Sequence, residues 1–580
     1  AVWHTPPPPS PRPRRRPQPQ AAMAKAGKGA ASKAARGVQF PLGQDGARNS
    51  TEAVKAALAA STAAADAAAG ERALGERSWR SGYNRHLVKN CELLASGPPG
   101  QEVAVASAGL QALHGSFEFV GPEGVAEPLE KAMARVPGLI PCHGGFDSGV
   151  VVGELAGKDP GPLRVPYGGR LLEGGKLAAQ LRQWEARGVI EADAREAIGR
   201  LADRTALDLS GQHFACIGAG SEMGPVSTLL ALGATVHAVD VPRPEAWRRL
   251  LQTAAASRGT LVAPLRRTGA AAGEKPSMRT FGKDFDEEEF CQAAGCNVLE
   301  ETPDVAAWLC AQAEGRRLCV GSYVYLDGAN FVRVALASDA VLEALCAARP
   351  NVALACLSSP TECYIVPEAA WAGAAERLAV PPAGAAHRLW YAPLRLASRG
   401  RYCAPATPAA SVSTEAGAMR LRDSYVGMQG PNYAFAKQIQ RWRMLLARSR
   451  GHTVSSNLGP MTLTRSILSN ALIGAGVKGA THFGLEPFYA ATSSALLAAL
   501  LVHDLSCETS AANPSVPLAS PLLLFSENAL HVGSWRAAFE TNSYTEVCAL
   551  TYGAGKAQPY VSAAATAAAG LAALRWRSKL

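Results

Sequence analysis

The run HFACIGAGSEMGPVSTLLALGATVHAVD, residues 213–240, decides the fold. An apolar strand (HFACIG) meets a glycine turn, a helix (SEMGPVSTLLALG) and a second strand ending in Asp240. Gly218, Gly220 and Gly224 fall in the pattern G-x-G-x-x-x-G, with Ser221, Glu222 and Met223 between them. Glycines allow a tight turn and let backbone amides approach a pyrophosphate, whose charge then sits at a helix N-terminus. An acid closing the second strand, 22 residues after Gly218, can accept both hydroxyls of an adenosine ribose. The stretch therefore points to a bound nucleotide. Asp240 repels a 2′-phosphate, which favours NAD, while Arg243 keeps NADP open.

Downstream, short apolar runs continue to alternate with helical patterns. A polar stretch at 268–289 reads as an inserted loop. It is followed by the strand GCNVL, the helix TPDVAAWLCAQA, the strand RRLCVGSY, a helix around SDAVLEALCAA and the strand NVALACLSS. After a second insertion, at 379–423, come a long helix from Tyr433 and the strand HTVSSN. Repeated strand–helix–strand units of this kind specify a parallel sheet with helices on both faces. The expected fold is a doubly wound, Rossmann-like α/β domain over 210–510, with Asn297 and Val298 at a strand end that can meet an adenine ring.

PNYAFAKQ, residues 431–438, sets Tyr433 and Lys437 four apart, hence on one helix face. A nearby ammonium lowers a phenol pKa, so such a tyrosine can pass a proton to or from a substrate oxygen. With the glycine turn, the acid after strand two and the strand that follows, the chain resembles the short-chain dehydrogenase/reductase family. The resemblance covers about residues 210–480. It implies that Tyr433 is the acid/base, that Lys437 tunes it and holds the ribose, and that a strand-end serine polarises the carbonyl. It also implies that the segment Asn457 to Thr464, including Pro460, contacts the nicotinamide. Ser358 and Ser359 end an apolar strand, and Ser359 or its neighbour is the favoured serine; Ser424 is the other candidate. The chain departs from the family in glycine spacing, in the 215 residues from Gly218 to Tyr433, and in having GSYVYLDG where the family has Asn-Asn-Ala-Gly.

Upstream, 50–209 reads as a surface helix, a small irregular α+β region and a helix–loop–helix. Residues 1–49 form a basic, proline-rich tail expected to be disordered. Most of the formal charge of +10 resides there: eight of the 58 basic side chains lie in residues 1–36, which hold no acid, leaving 50 against 48 acidic. The body is near neutral, which argues against a nucleic-acid partner. Thirteen cysteines, scattered singly with no zinc-ligand spacing, read as reduced core thiols with no metal site. The apolar runs at 487–502 and 557–574 are too short or too alanine-rich to span a membrane, so a soluble protein is expected. In the C-terminal extension, 511–580, Ser578-Lys579-Leu580 matches the address read by the peroxisomal import receptor. The basic N-terminus leaves a cytoplasmic or other organellar location as the alternative.

These readings converge on an NAD(P)-dependent oxidoreductase acting on a small carbonyl or alcohol, with acyl-CoA or lipid metabolism as the setting if the address is used; an oligomer is compatible. The rivals are an inactive nucleotide-binding sensor or scaffold and an S-adenosylmethionine-dependent methyltransferase, which also uses a glycine turn and an acid after strand two.

Overall fold

In chain order, the main sheet of the computed structural model consists of β1 (Phe146–Val152), β2 (His213–Ile217), β3 (Thr235–Val239), β4 (Thr260–Arg266), β5 (Met278–Thr280), β6 (Leu318–Ser322), β7 (Ala353–Ser358) and β8 (Val454–Leu458). Across the sheet the order is β5-β1-β4-β3-β2-β6-β7-β8. The six strands from β4 to β8 in that order are parallel. β1 lies antiparallel to β4, and β5 parallel to β1. The structure describes residues 36–43, 45–267, 275–379, 385–414, 417–545, 548, 549 and 552. Most of the basic tail and the C-terminal Ser578-Lys579-Leu580 lie outside the described residues.

Helices cover both faces because the central strands are apolar on both. In β2, Phe214 and Cys216 face one core while Ala215 and Ile217 face the other, and in β7 Ala353 and Ala355 alternate with Leu354 and Cys356 in the same way. One layer contains α1 (Ser50–Ala63), α2 (Ala67–Leu74), α3 (Trp79–Ala95) and α4 (Gln101–Ser116), with α9 (Thr302–Gln312), α10 (Ala329–Ala348) and α11 (Gly430–Ser449). The other contains α5 (Gly174–Ala186), α6 (Ala192–Ala202), α7 (Val226–Ala231), α8 (Pro244–Ala255) and α12 (Ala490–Ser506). The molecule is thus a mixed α/β protein built on a large, mostly parallel sheet. No helix among the described residues is long and apolar enough to cross a membrane. None of the thirteen cysteines forms a disulfide, and eleven are buried.

Several local expectations are corrected. The tail does not extend to residue 49: Gly37–Gln39 pairs antiparallel with Glu118–Val120, and Asn49 caps α1. The helix over 50–76 is two helices, and α1 buries Val54 and Leu58 completely rather than lying on the surface. The region read as a loop at 268–289 contributes β5 and the start of a helix, Glu287–Ala293. The second insertion, 379–423, holds the helix Ala385–Ala397 and the strands Ala410–Thr414 and Gly417–Asp423. Residues 210 onward do not own the sheet alone, since β1 comes from the preceding region and the described residues from Arg36 onward belong to one compact unit.

Candidate active site

The glycine turn leaves β2 at the C-terminal edge of the sheet. Gly218 has φ +85°, a conformation that favours glycine, and a Cβ there would sit 3.0 Å from the Tyr323 carbonyl. Its amide and that of Ala219 bond the Val239 carbonyl at 2.8 and 3.1 Å, which ties the turn to the end of β3. Ser221 and Gly224 donate back within the turn, to Gly218 and Ser221. The turn is longer than its sequence suggests. The helix expected from Ser221 begins only at Val226 and spans six residues, because Gly224 and Pro225 prolong the irregular segment.

Asp240 reaches back to this turn. Its Oδ2 accepts the Gly220 amide at 2.6 Å and its Oδ1 accepts Val241 N at 2.8 Å, while burial pushes its carboxyl up. A Cβ on Gly220 would lie 3.0 Å from that same Oδ2. Asn297 is brought beside Asp240, since Cys296 N bonds the Asp240 carbonyl at 2.9 Å. GCNVL is not a strand, however. Gly295 turns at φ +112°, and Asn297 Oδ1 accepts Leu299 N at 3.1 Å, closing its own turn beside the buried Val298.

Across the edge, the end of β7 meets α11. The Tyr433 hydroxyl donates to Ser359 Oγ at 3.1 Å. Ser359 Oγ lies 2.8 Å from Thr361 Oγ1, which donates in turn to Gln429 Oε1. Three hydroxyls therefore run in series from the partly buried phenol to the surface. Ser424, the other candidate, is buried with its Oγ unpaired and bonds the Glu362 carbonyl through its amide. Over the phenol lie Phe331, with ring centroids 5.4 Å away, and Tyr325, 6.3 Å away and 57% exposed.

Lys437 does not act on the phenol as the spacing suggests. Its Nζ donates to the Leu357 carbonyl at 2.7 Å and to Gln440 Oε1 at 3.0 Å. Burial prevails over the hydrogen bond shared with Ser359 and pushes the Tyr433 phenol up to about 12 rather than down. The lysine itself is pulled down by burial.

Two residues that the sequence did not single out hold this corner. Glu362 accepts the Ser359 amide through Oε1 and Arg441 Nη2 at 3.0 Å through Oε2. Arg441 follows Tyr433 and Lys437 at the next i+4 position, so one face of α11 carries all three. Its guanidinium also bonds Cys91 Sγ and the Cys363 carbonyl, each at 3.0 Å. From the other side α3 braces α11, as Asn90 Oδ1 accepts both Gln438 Nε2 and Trp442 Nε1. The helix-rich N-terminal region thereby fixes the helix that bears Tyr433. The i+8 recurrence of Arg441 was a readable signal; Glu362 had none.

Asn457 is not presented to the edge. It lies buried within β8, its amide donating to Ser455 Oγ and Asp504 Oδ2 at 2.8 and 3.1 Å. Pro460 is buried just beyond, its carbonyl accepting Thr462 Oγ1. Beside β8, Gly459 approaches closely enough that a Cβ would lie 3.2 Å from Met223 Cε and from the Ser358 carbonyl. Met223 therefore reaches from the glycine turn to the ends of β7 and β8. With Tyr323 and Leu357 it lines a cavity of about 10 Å3, room for one water. Glu222 ties the turn to the segment after β8, accepting Arg465 N at 2.7 Å and pairing with its guanidinium. No group of side chains suited to hold a metal occurs among the described residues.

In comparisons with known proteins, no family model, no curated protein and no solved structure matches the chain.

Proposed function

We propose that the chain is a nicotinamide-dependent oxidoreductase that interconverts a carbonyl and an alcohol, with Tyr433 as the acid/base. The contact between Tyr433 and Ser359 carries this reading, because two hydroxyls 3.1 Å apart can both address one substrate oxygen. Strand order supports the nucleotide half. Numbered from the glycine turn, β4-β3-β2-β6-β7-β8 runs 3-2-1-4-5-6, the order of doubly wound dinucleotide-binding sheets, and the turn borders the switch point between β2 and β6.

The residues of the turn fit such a ligand. Gly218 and Gly220 are positions where a side chain would crowd backbone or Asp240, and the Glu222 and Met223 amides make no hydrogen bond among the described residues. They would hold a pyrophosphate, and Asp240 a ribose. NAD is favoured by Asp240, with NADP as the alternative. When bound, the nicotinamide supplies or accepts the hydride.

The chain's own part is proton handling. In reduction, Tyr433 gives its proton to the carbonyl oxygen while Ser359 donates a hydrogen bond to that oxygen. The phenol is then reprotonated along Ser359 and Thr361 from solvent at Gln429. A phenol pushed up to about 12 is fully protonated near neutrality, so the free protein is set for reduction. Lys437 keeps one N–H free for a ribose hydroxyl, and exposed Tyr325 offers a flat face to the apolar part of a substrate.

One observation favours a second reading, nucleotide binding without turnover. Gly220 N already occupies the Asp240 oxygen that a ribose would need. Titrating purified full chain with NADH and NADPH, then assaying a carbonyl panel, separates the two. Binding with consumption of reduced cofactor supports the oxidoreductase, and binding alone selects the second reading.

A further inference from the structure

Far from the glycine turn in sequence, α2 and α3 enclose a groove of about 780 Å3, within the size range of small-ligand pockets. Ala69 and Ala73, buried and one turn apart on α2, keep its floor low. Four cations converge on it: Arg72 from α2, Arg77 from the connecting loop, and Arg85 and Lys89 one turn apart on α3. The acid lining it, Glu76, is spent locally. Its Oε1 accepts Ser78 N at 2.8 Å, and its Oε2 holds the Arg85 guanidinium and lies 3.2 Å from His86 Nε2, which keeps the carboxyl down at about 2. Glu76 thus orients Arg85 at the groove, while Lys89 stands 3.5 Å from Asp66 and 3.6 Å from Glu92. The Arg72 and Arg77 side chains are exposed and make no side-chain hydrogen bond or close ion pair among the described residues, although the Arg72 charge helps hold the Asp66 carboxyl down.

We propose that this groove binds a small multivalent anion of the phosphate-ester or pyrophosphate class. Guanidinium forks match phosphate oxygens bidentately, and a concave wall in which cations outnumber the one lining acid concentrates such ligands. The two unpaired arginines are the primary contacts, with Arg85 held ready by Glu76.

Calorimetric titration of the full chain with inorganic pyrophosphate tests this, against malonate as a carboxylate dianion and potassium chloride at matched ionic strength. The expected result is saturable binding of pyrophosphate over both controls. Arg72→Glu/Arg77→Glu should weaken it by at least about tenfold with an unchanged melting temperature, whereas Arg170→Glu, on an exposed hairpin strand that does not line the groove, should not. The milder Arg72→Gln/Arg77→Gln pair keeps the test valid if the charge reversal unfolds the protein. Equal binding of malonate would overturn the phosphate assignment. Absence of saturable binding, or a pyrophosphate stoichiometry and affinity unchanged in both double variants, would overturn the site.

Discussion

The Tyr433 hydroxyl donates to Ser359 Oγ at 3.1 Å across 74 residues of sequence that include two helices and a three-stranded sheet. A strand end and a helix face are brought together, and each side chain's position is held by separate neighbours. Tyr433→Phe should therefore lower carbonyl reduction by roughly 10²–10⁴-fold with cofactor binding retained, the range for removing a general acid. Ser359→Ala should cost about 10²–10³-fold, as for the loss of one hydrogen-bond donor to the reacting oxygen. Steady-state assays with fluorescence titration of NADH separate turnover from binding.

Thr361 links Ser359 to the surface, so Thr361→Val should lower kcat and enlarge the solvent isotope effect. Thr361→Ser should restore both. A purely structural threonine would leave the isotope effect unchanged.

The pH profile follows from burial of the phenol. Tyr433 stays protonated until about 12, so the reduction rate should not fall through loss of the proton donor between neutrality and mildly alkaline pH. Alcohol oxidation, which needs the phenolate, should rise with pH over the same interval. Opposed assays across that range check both slopes.

Glu362 and Arg441 form a buried pair, each 2% exposed, and breaking such a pair leaves an unpaired charge inside the protein. Glu362→Ala should cost about 3–5 kcal/mol of stability, and loosening Ser359 should also lower kcat. Glu362→Gln, which keeps an acceptor for the Ser359 amide, should cost less. Denaturant unfolding of the variants measures the difference.

Asp504 lies buried among Ser455, Asn457 and Ser510, with Glu527 sharing the Ser510 hydroxyl, and burial pushes its carboxyl from 3.8 up to about 7. Between those values the folded state holds a proton that the unfolded chain has released. The contribution is complete below the unfolded pKa and is lost as pH rises through about 7. Asp504→Asn should flatten the fall of melting temperature over that interval, read by calorimetry at a series of pH values.

What the sequence disclosed was local and periodic. Strands buried on both faces read as short apolar runs, and the glycine turn, Asp240 and the i+4 pair on α11 could be read from spacing alone. Ser359 was identified by its place at a strand end. The misreadings arise where tertiary contacts override a local pattern. Pro225 and Gly224 delay α7, Gly295 packs against Trp247 where a strand was expected, and Asn457 turns into the Asp504 network. Lys437 has the right spacing, but its ammonium is claimed by Leu357 and Gln440. The bracing of α11 by α3 through Asn90 joins segments some 350 residues apart, and no motif announces it.

Single-turnover mixing of the NADH- or NADPH-loaded full chain with a carbonyl panel, followed by nicotinamide absorbance in wild type and Tyr433→Phe, tests the central claim most directly. The expected result is cofactor oxidation by wild type with at least one carbonyl, and its loss in Tyr433→Phe while the cofactor stays bound. Failure of wild type to bind either nucleotide, or undiminished turnover by Tyr433→Phe, would contradict it.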